Sequence, residues 1–409
     1  MRGVQRWLCS RWVVWGVQIA LLAEGVGAGA DIYRYRASAS TDVDTPSEVH
    51  LEVGSSRLST AKTLNQWADD ALTAMIETYW NPEHQYFHKF SDRSDWTDFW
   101  WEAQLWDTVM DGVVRTKGAN AGWRQLLDQV YRGQARRNPT FMNQFYDDEA
   151  WWALASLRAY EITQDPEYLE NAEWLWNDIR SGWSDDLGGG IWWRKDERNT
   201  KNACINGPAA ILAVRLYQFT GNKEDLEMAE RIYAWLRQTL LADYGLVEDN
   251  IDRNGRVDDH TYTYNQGTFI GAAVGLYQAT GEAQYLEDAK RVANASLAAL
   301  VDWDGILKES GNGDGGGFKA IFARYLVWLI KALPESESEK GTRDKYVQFL
   351  VKNAVSVWEN SRNDRGLFSS RWAGPPPAAG TRVESLTNAS AVALLNLTAD
   401  LVNELGLGY

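Results

Sequence analysis

The chain has 409 residues, with 41 Lys and Arg against 56 Asp and Glu, a formal charge of −15 at pH 7. Hydrophobic residues at 45% exclude disorder over most of that length. The acidic balance excludes nucleic acid and anionic membrane as partners, because phosphate recognition needs a positive face. Tryptophan stands out at 22 residues, a count that a large core explains in the main and that sugar-stacking positions in loops would complete.

The amino terminus reads as a secretory leader. Arg2, Arg6 and Arg11 form a positive n-region, Val13 to Ala23 is an apolar stretch broken by Gly16 and Gln18, and Ala28-Gly29-Ala30 is a small-residue cleavage pattern. The stretch is too short to cross a bilayer comfortably. Residues 1–30 are therefore expected to be removed, leaving an extracellular protein with no stable membrane anchor. Cleavage takes Cys9 away and leaves Cys204 alone, so packing rather than a disulfide must hold the fold. Residues 31–56, rich in Ser, Thr and Asp and without periodicity, read as a flexible lead-in.

From residue 57 onward, apolar residues recur at three- and four-residue spacing between Gly, Pro and Asn breaks. They predict helices over 57–80, 98–115, 122–136, 147–163, 166–181, 202–219, 223–241, 263–280, 283–299, 315–333, 341–361 and 383–404. Only Gly190-Ile191-Trp192-Trp193 hints at a strand. One turn recurs in three versions, Thr163-Gln-Asp-Pro, Thr220-Gly-Asn-Lys and Thr280-Gly-Glu-Ala, every 57–60 residues, the length of a helical hairpin. Even-numbered helices are small and apolar all round, as in Pro208-Ala-Ala-Ile-Leu-Ala-Val, and should be buried; odd-numbered ones carry a charged face. Six such hairpins close into a ring without polar capping repeats. Residues 57–409 are expected to form a single all-α domain, an (α/α)6 toroid with inner and outer helix rings.

Inner helices of a toroid run in one direction and gather their N-termini at one rim. Trp100 and Trp101 open the second helix, and Tyr146, Asp147, Asp148 and Trp151 open the fourth. Trp192 and Trp193 precede the sixth, which carries Asn202 and Asn206. Tyr264, Asn265 and Gln266 open the eighth, and Asp314, Phe318 and Lys319 lead into the tenth. Amides and carboxylates that bond hydroxyls, set among aromatics that stack on sugar rings, suit a carbohydrate cleft. All of these residues but the two adjacent aspartates are candidate substrate contacts.

Asp147 and Asp148 are the candidate catalytic pair. A glycosidase needs one carboxyl as proton donor and a second as nucleophile or base, and neighbours at a helix start can stand about 5–6 Å apart, near the retaining separation. The helix N-terminus favours the ionised form of one. Burial and repulsion keep the other protonated. A bare Asp-Asp also caps helices, so the weight rests on the company it keeps.

The run Tyr146-Asp147-Asp148-Glu149-Ala150-Trp151-Trp152-Ala153-Leu154-Ala155 resembles the signature of glycoside hydrolase family 76, the endo-α-1,6-mannanases. Lys201-Asn202 through Asn206-Gly207-Pro208, Tyr264-Asn265-Gln266-Gly267, and Asp314 through Phe318-Lys319-Ala320-Ile321-Phe322 are similar to further motifs of that family, in order. The resemblance covers nearly the whole mature chain. It implies an (α/α)6 fold and retaining hydrolysis of α-1,6-mannan backbones, with Asp147 as nucleophile and Asp148 as acid/base. An α-mannan polysaccharide or oligosaccharide is then the partner of a monomeric enzyme whose activity follows a bell in the acid range. Ala320 stands where the family pattern has Gly. Fungal wall transglycosylases similar to the family usually carry a GPI signal, and Gly406-Leu407-Gly408-Tyr409 offers none, which favours a soluble hydrolase. A mannan transglycosylase and a non-catalytic glycan-binding protein are the competing readings.

Other motifs carry less. Gly311, Gly313 and Gly316 fit a nucleotide fingerprint but follow no strand. Asn250, Asp252, Asn254 and Gly255 echo a calcium loop with Thr261 in place of its Glu. His84 and His88 lack a third ligand, and Cys204 reads as a packed thiol. No metal or cofactor is expected. Asn294, Asn388 and Asn396 stand in N-x-S/T sequons and are glycan acceptors if secretion is eukaryotic.

Overall fold

A computed structural model describes residues 60–308 and 310–407, together with two short paired segments upstream, Leu22–Glu24 and Glu52–Ser55. Apart from those segments, the expected leader over 1–30 and lead-in over 31–56 lie outside the described residues. Twelve helices follow: α1 (Thr60–Tyr79), α2 (Phe99–Arg115), α3 (Ala121–Arg137), α4 (Tyr146–Thr163), α5 (Pro166–Ile179), α6 (Ala203–Thr220), α7 (Lys223–Thr239), α8 (Thr263–Thr280), α9 (Ala283–Ala299), α10 (Phe318–Ala332), α11 (Glu337–Asn360) and α12 (Ser385–Glu404). The even-numbered helices pack side by side in the order α2, α4, α6, α8, α10, α12 and back to α2. The odd-numbered helices lie outside them, and α1 closes the circle by packing on α12. This is an (α/α)6 toroid.

The recurrent turn works the same way each time. Thr163, Thr220 and Thr280 donate Oγ1 to the carbonyl four residues back, at 2.7–2.8 Å, and accept the N–H two residues ahead at 3.2 Å. The residue between has left-handed φ: Gly221 at 76°, Gly281 at 76°, and Gln164 at 62°. Asp165 and Asn222 then cap the next helix by accepting from Glu167 N and Glu224 N.

A second device repeats at the other rim. The fourth residue of five inner helices reaches into the loop before it and takes a backbone N–H there. Glu102 accepts from Phe87, Glu149 from Asn143, Asn206 from Ile191, Gln266 from Val247 and Asn388 from Phe368, at 2.5–3.2 Å. In α10 that position is Ile321, and Asn353 of α11 takes Leu307 N at 2.9 Å instead. Ile191, Val247, Leu307 and Phe368 each sit in a single antiparallel bridge that follows an outer helix. The strand hint at Gly190–Trp193 is thus one such bridge. A small sheet of Thr200–Asn202, Asn250–Asp252 and Val257–Asp258 stands beside it, which the spacing did not predict.

The sequons need correction. Asn388 and Asn396 lie on the inner helix α12 with no exposure, and Asn396 Oδ1 accepts from Arg115 Nε at 2.9 Å. Neither amide is accessible to a glycan in the folded ring. Asn294, on α9, is exposed.

Deeper in the ring than the N-terminal rim, charged side chains of three inner helices meet. Arg324 of α10 binds Asp111 of α2 at 2.6 and 2.8 Å, and Arg158 of α4 binds Asp107 and Asp111 at 2.5 and 2.6 Å. Burial would raise the Asp107 pKa, but Arg324 and Arg158 outweigh it and hold the carboxyl below its usual range. Among the described residues no helix is long and apolar enough to cross a membrane.

Candidate active site

The first turn of α4 carries three acids, Asp147, Asp148 and Glu149, and each is held differently. Asp147 and Asp148 are half-buried on the open rim, whereas Glu149 has no exposure. Burial pushes Asp147 up to about 6, opposed by the adjoining Cys204 thiol, the Trp193 indole and the first-turn amides of α4. Asp148 is pushed further, up to about 9, by burial and then by the charges of Asp147, Asp314, Glu149 and Asp98. Burial thus lifts both carboxyls, and the neighbouring acids lift Asp148 further than Asp147.

The expected contacts fall into two groups. Asp314 Oδ1 accepts from both Trp100 Nε1 and Trp101 Nε1, at 2.9 and 2.7 Å, so three candidates from two helix starts form one unit. Trp151 faces Trp100 with ring centres 6.2 Å apart. Tyr264 stacks on Phe318 at 3.9 Å, and its phenol is raised by burial beside Cys204, Asp249 and Asp147. Tyr146 stands under the Lys195 ammonium at 5.2 Å. Asn202 Oδ1 and Asn265 Oδ1 are buried without a hydrogen-bond partner. Such atoms are rare in folded proteins and suit a polyhydroxylated ligand.

Asn206, Gln266 and Lys319 are different. Asn206 spends its amide on Ile191 N and O and on Asn202 O. Gln266 spends its own on Val247 N and O and on Tyr262 O. Lys319 donates to Ser370 O at 2.6 Å and lies over Trp372. All three are buried braces of the rim, not free donors for a sugar. Trp192 is also mostly buried, with Nε1 on Ser184 Oγ at 3.0 Å.

Four features had no sequence signal or were read otherwise. Asn143 Nδ2 donates to Asp148 Oδ2 at 2.6 Å. Asp249 takes Asn265 Nδ2 at 3.0 Å, and burial raises its pKa. Cys204, read as a mere packed thiol, adjoins Asp147 and Tyr264. Lys201 is fully buried, and its Nζ donates to Ser184 O, Asp186 O and Gly189 O at 2.5–2.8 Å, fixing the loop that carries Trp192 and Trp193.

The weaker motifs resolve simply. Asp252 accepts from Asn254 N and Arg256 N in a surface turn. His88 stacks on Trp96 at 4.4 Å. Gly315, Gly316 and Gly317 lead into α10 in close contact with Ser310, Thr387 and Leu386. Asp258, Asp259 and His260 are exposed, and His260 is paired with Asp258 at 2.5 Å.

A family model, Glycosyl hydrolase family 76, matches residues 63–404. Mannan endo-1,6-alpha-mannosidase DCW1 of Saccharomyces cerevisiae is 30% identical over 288 residues, which are 63% of this chain and 62% of that protein. The chain thus spans under two thirds of that relative. Among solved structures, an α-1,6-mannanase, GH76A of Salegentibacter sp. HEL1_6, superposes with a TM-score of 0.78 at 37% identity, covering 83% of this chain and 99% of that one. An inactive variant of it, with two consecutive aspartates changed to asparagine, was solved in complex with α-1,6-mannotriose (36% identity, TM-score 0.78). The Lin0763 protein of Listeria innocua matches with a TM-score of 0.75 at 32% identity, over 83% of this chain and 98% of that one.

Proposed function

The chain belongs to glycosyl hydrolase family 76, and on that footing we propose that it is a secreted, retaining endo-α-1,6-mannanase acting as a monomer on α-mannan. The observation that carries this reading is the adjacent carboxyl pair in the first turn of α4, on the open rim among aromatics and amides, with Asp148 lifted further than Asp147 so that it is the one suited to donate a proton. Asp147 attacks the anomeric carbon while Asp148 passes its proton to the departing glycosidic oxygen. Asp148, now a base, takes a proton from water. That water attacks the anomeric carbon, releases Asp147 and leaves the configuration as it began. Trp100, Trp101 and Asp314 on one side, and Tyr264, Phe318, Asn202 and Asn265 on the other, hold the sugars across the pair. The similar Salegentibacter protein, inactive without its two consecutive aspartates yet bound to an α-1,6-mannooligosaccharide, supports the substrate class. The leader pattern ending at Ala28-Gly29-Ala30 supports secretion.

Both carboxyls are lifted by burial, which alters the expected pH response. Activity rises as Asp147 ionises near 6 and falls as Asp148 loses its proton near 9, so the bell centres on neutral pH and not in the acid range. Incubation with linear α-1,6-mannan should give shortened chains by size analysis. Lengthened chains would assign a transglycosylase, and no change a binding protein. An activated aryl mannoside, whose leaving group needs no proton, should restore a burst of aryl release to Asp148→Asn but not to Asp147→Asn. Equal rescue of both would overturn the assignment.

A further inference from the structure

Asp148 has two oxygens, and only one of them can deliver a proton to the cleft. We propose that Asn143 is the positioning residue of the acid/base: by donating Nδ2–H to Asp148 Oδ2 it confines the transferable proton to Oδ1. The proposal rests on the mannanase reading above for its consequence, and on geometry alone for the contact. The Nδ2···Oδ2 distance is 2.6 Å. The amide cannot be turned round, because Asn143 Oδ1 already accepts Phe145 N at 3.2 Å, which leaves the amino group facing Asp148. The carbonyl oxygen of a neutral carboxylic acid is its stronger acceptor, so a donor fixed on Oδ2 favours the hydroxyl on Oδ1.

The loop carrying Asn143 is itself fixed. Asn143 N donates to Glu149 Oε1 at 2.5 Å, and the same oxygen takes Lys195 Nζ at 2.5 Å. Lys195 also binds Asp178 at 2.5 Å, while Lys195 N donates to Gln144 O at 3.1 Å. Upstream, Asn138 Nδ2 donates to Met142 O at 2.8 Å, and Phe141 is buried against Tyr131 and Trp152. The third acid of the first α4 turn therefore works at one remove. It anchors the backbone of the residue that orients the second.

The charged groups that weigh most on Asp148 are Asp147 and Glu149 from α4, Asp314 ahead of α10 and Asp98 ahead of α2, with Lys195 paired to Glu149 and Lys89 to Asp98. Asn143 supplies a neutral donor among them. A donor favours the charged form of its acceptor, so removing it moves the Asp148 midpoint upward. The near-isosteric Asn143→Asp keeps an acceptor for Phe145 N and the backbone contact to Glu149, but turns the donor into a fifth acid.

The test reads Asp148 directly, by carboxyl 13C NMR on the full chain across pH 4–11. In the wild type, the Asn143 side-chain amide should shift with the same midpoint as the Asp148 carboxyl. In Asn143→Asp that carboxyl midpoint should rise by about one pH unit. With α-1,6-mannan, Asn143→Asp should lower kcat at least about tenfold with little change in KM. Its alkaline limb should move upward, and an activated aryl mannoside should recover most of the loss. An Asn143 amide that ignores the Asp148 titration in the wild type would overturn the proposal, and so would a folded Asn143→Asp with the wild-type midpoint. The wild-type measurement stands even if the variant does not fold. If the wild type leaves mannan untouched, the mannanase reading fails, and the NMR titration still decides the contact.

Discussion

Burying a carboxyl that must stay protonated costs the fold free energy, because the unfolded chain ionises the same group freely. Asp148 is such a group, with its folded pKa raised to about 9. The unfolded carboxyl titrates near ~3.9. The folded state is therefore penalised increasingly as pH climbs through the unfolded value, up to the folded one. Asp148→Asn removes the penalty. Its Tm should exceed that of the wild type at pH 7, with a smaller gain at pH 4, while mannan hydrolysis is lost. A gain that did not grow with pH would mean the carboxyl is not strained. Asp147 and Asp148 could be singled out in the sequence only through the aromatic and amide motifs around them, since an Asp-Asp at a helix start also serves as a cap. Asn143 was not. A single Asn in a polar turn has no period and no spacing that distinguishes it from a solvated loop residue.

Helix starts show where composition misleads. An amide at the N-terminus of an inner helix looks the same whether it serves a sugar or a neighbouring loop. Asn202 and Asn265 keep partnerless buried oxygens, while Asn206 and Gln266, four residues and one residue further on, are spent on backbone. Position within the first turn makes the difference: the fourth residue points back at the loop before it. Gln266→Ala leaves both Val247 N and O buried and unpaired, which should cost about 2–3 kcal/mol by urea unfolding. Asp314→Ala, on the exposed lip, should lower activity with little change in stability. Were the two results reversed, the division of the rim into braces and contacts would be wrong. The recurrent Thr turn, by contrast, was read correctly because three copies made it visible. Its one irregular member, Gln164, adopts the same left-handed φ as the glycines.

At the scale of the molecule, the closed ring followed from helix count, hairpin period and the apolar character of the even helices. Spans agree within a few residues, apart from α11, which begins at Glu337 where the spacing placed its start at 341. The charge cluster inside the ring was not foreseen. Asp107, Asp111, Arg158 and Arg324 sit on three helices and pair across more than 200 residues of sequence, beyond any local pattern. They tie α2 to α10 through side chains as well as to α4 along the wall, so three of the six inner helices are cross-linked inside the ring. Burial raises Asp147 and Asp148 at the rim, whereas Arg324 and Arg158 hold Asp107 below its usual range deeper in the ring.

The contact of α1 with α12 gives the ring a topology without a privileged starting point. Asn65 in α1 and Asn403 in α12, the first and last helices, share a hydrogen bond of 2.8 Å. Val392, Leu394 and Leu395 of α12 are wholly buried, each worth roughly 1.5–3 kcal/mol. Cutting the chain after Glu384 should therefore abolish cooperative folding altogether. Joining the neighbouring ends through a short Gly-Ser linker and opening the chain instead at Gly221, a tight turn on the surface, removes no wall of the ring. That circular permutant should melt as a single transition and keep its activity on mannan, since the cleft belongs to the closed circle and not to the order in which its arcs are threaded.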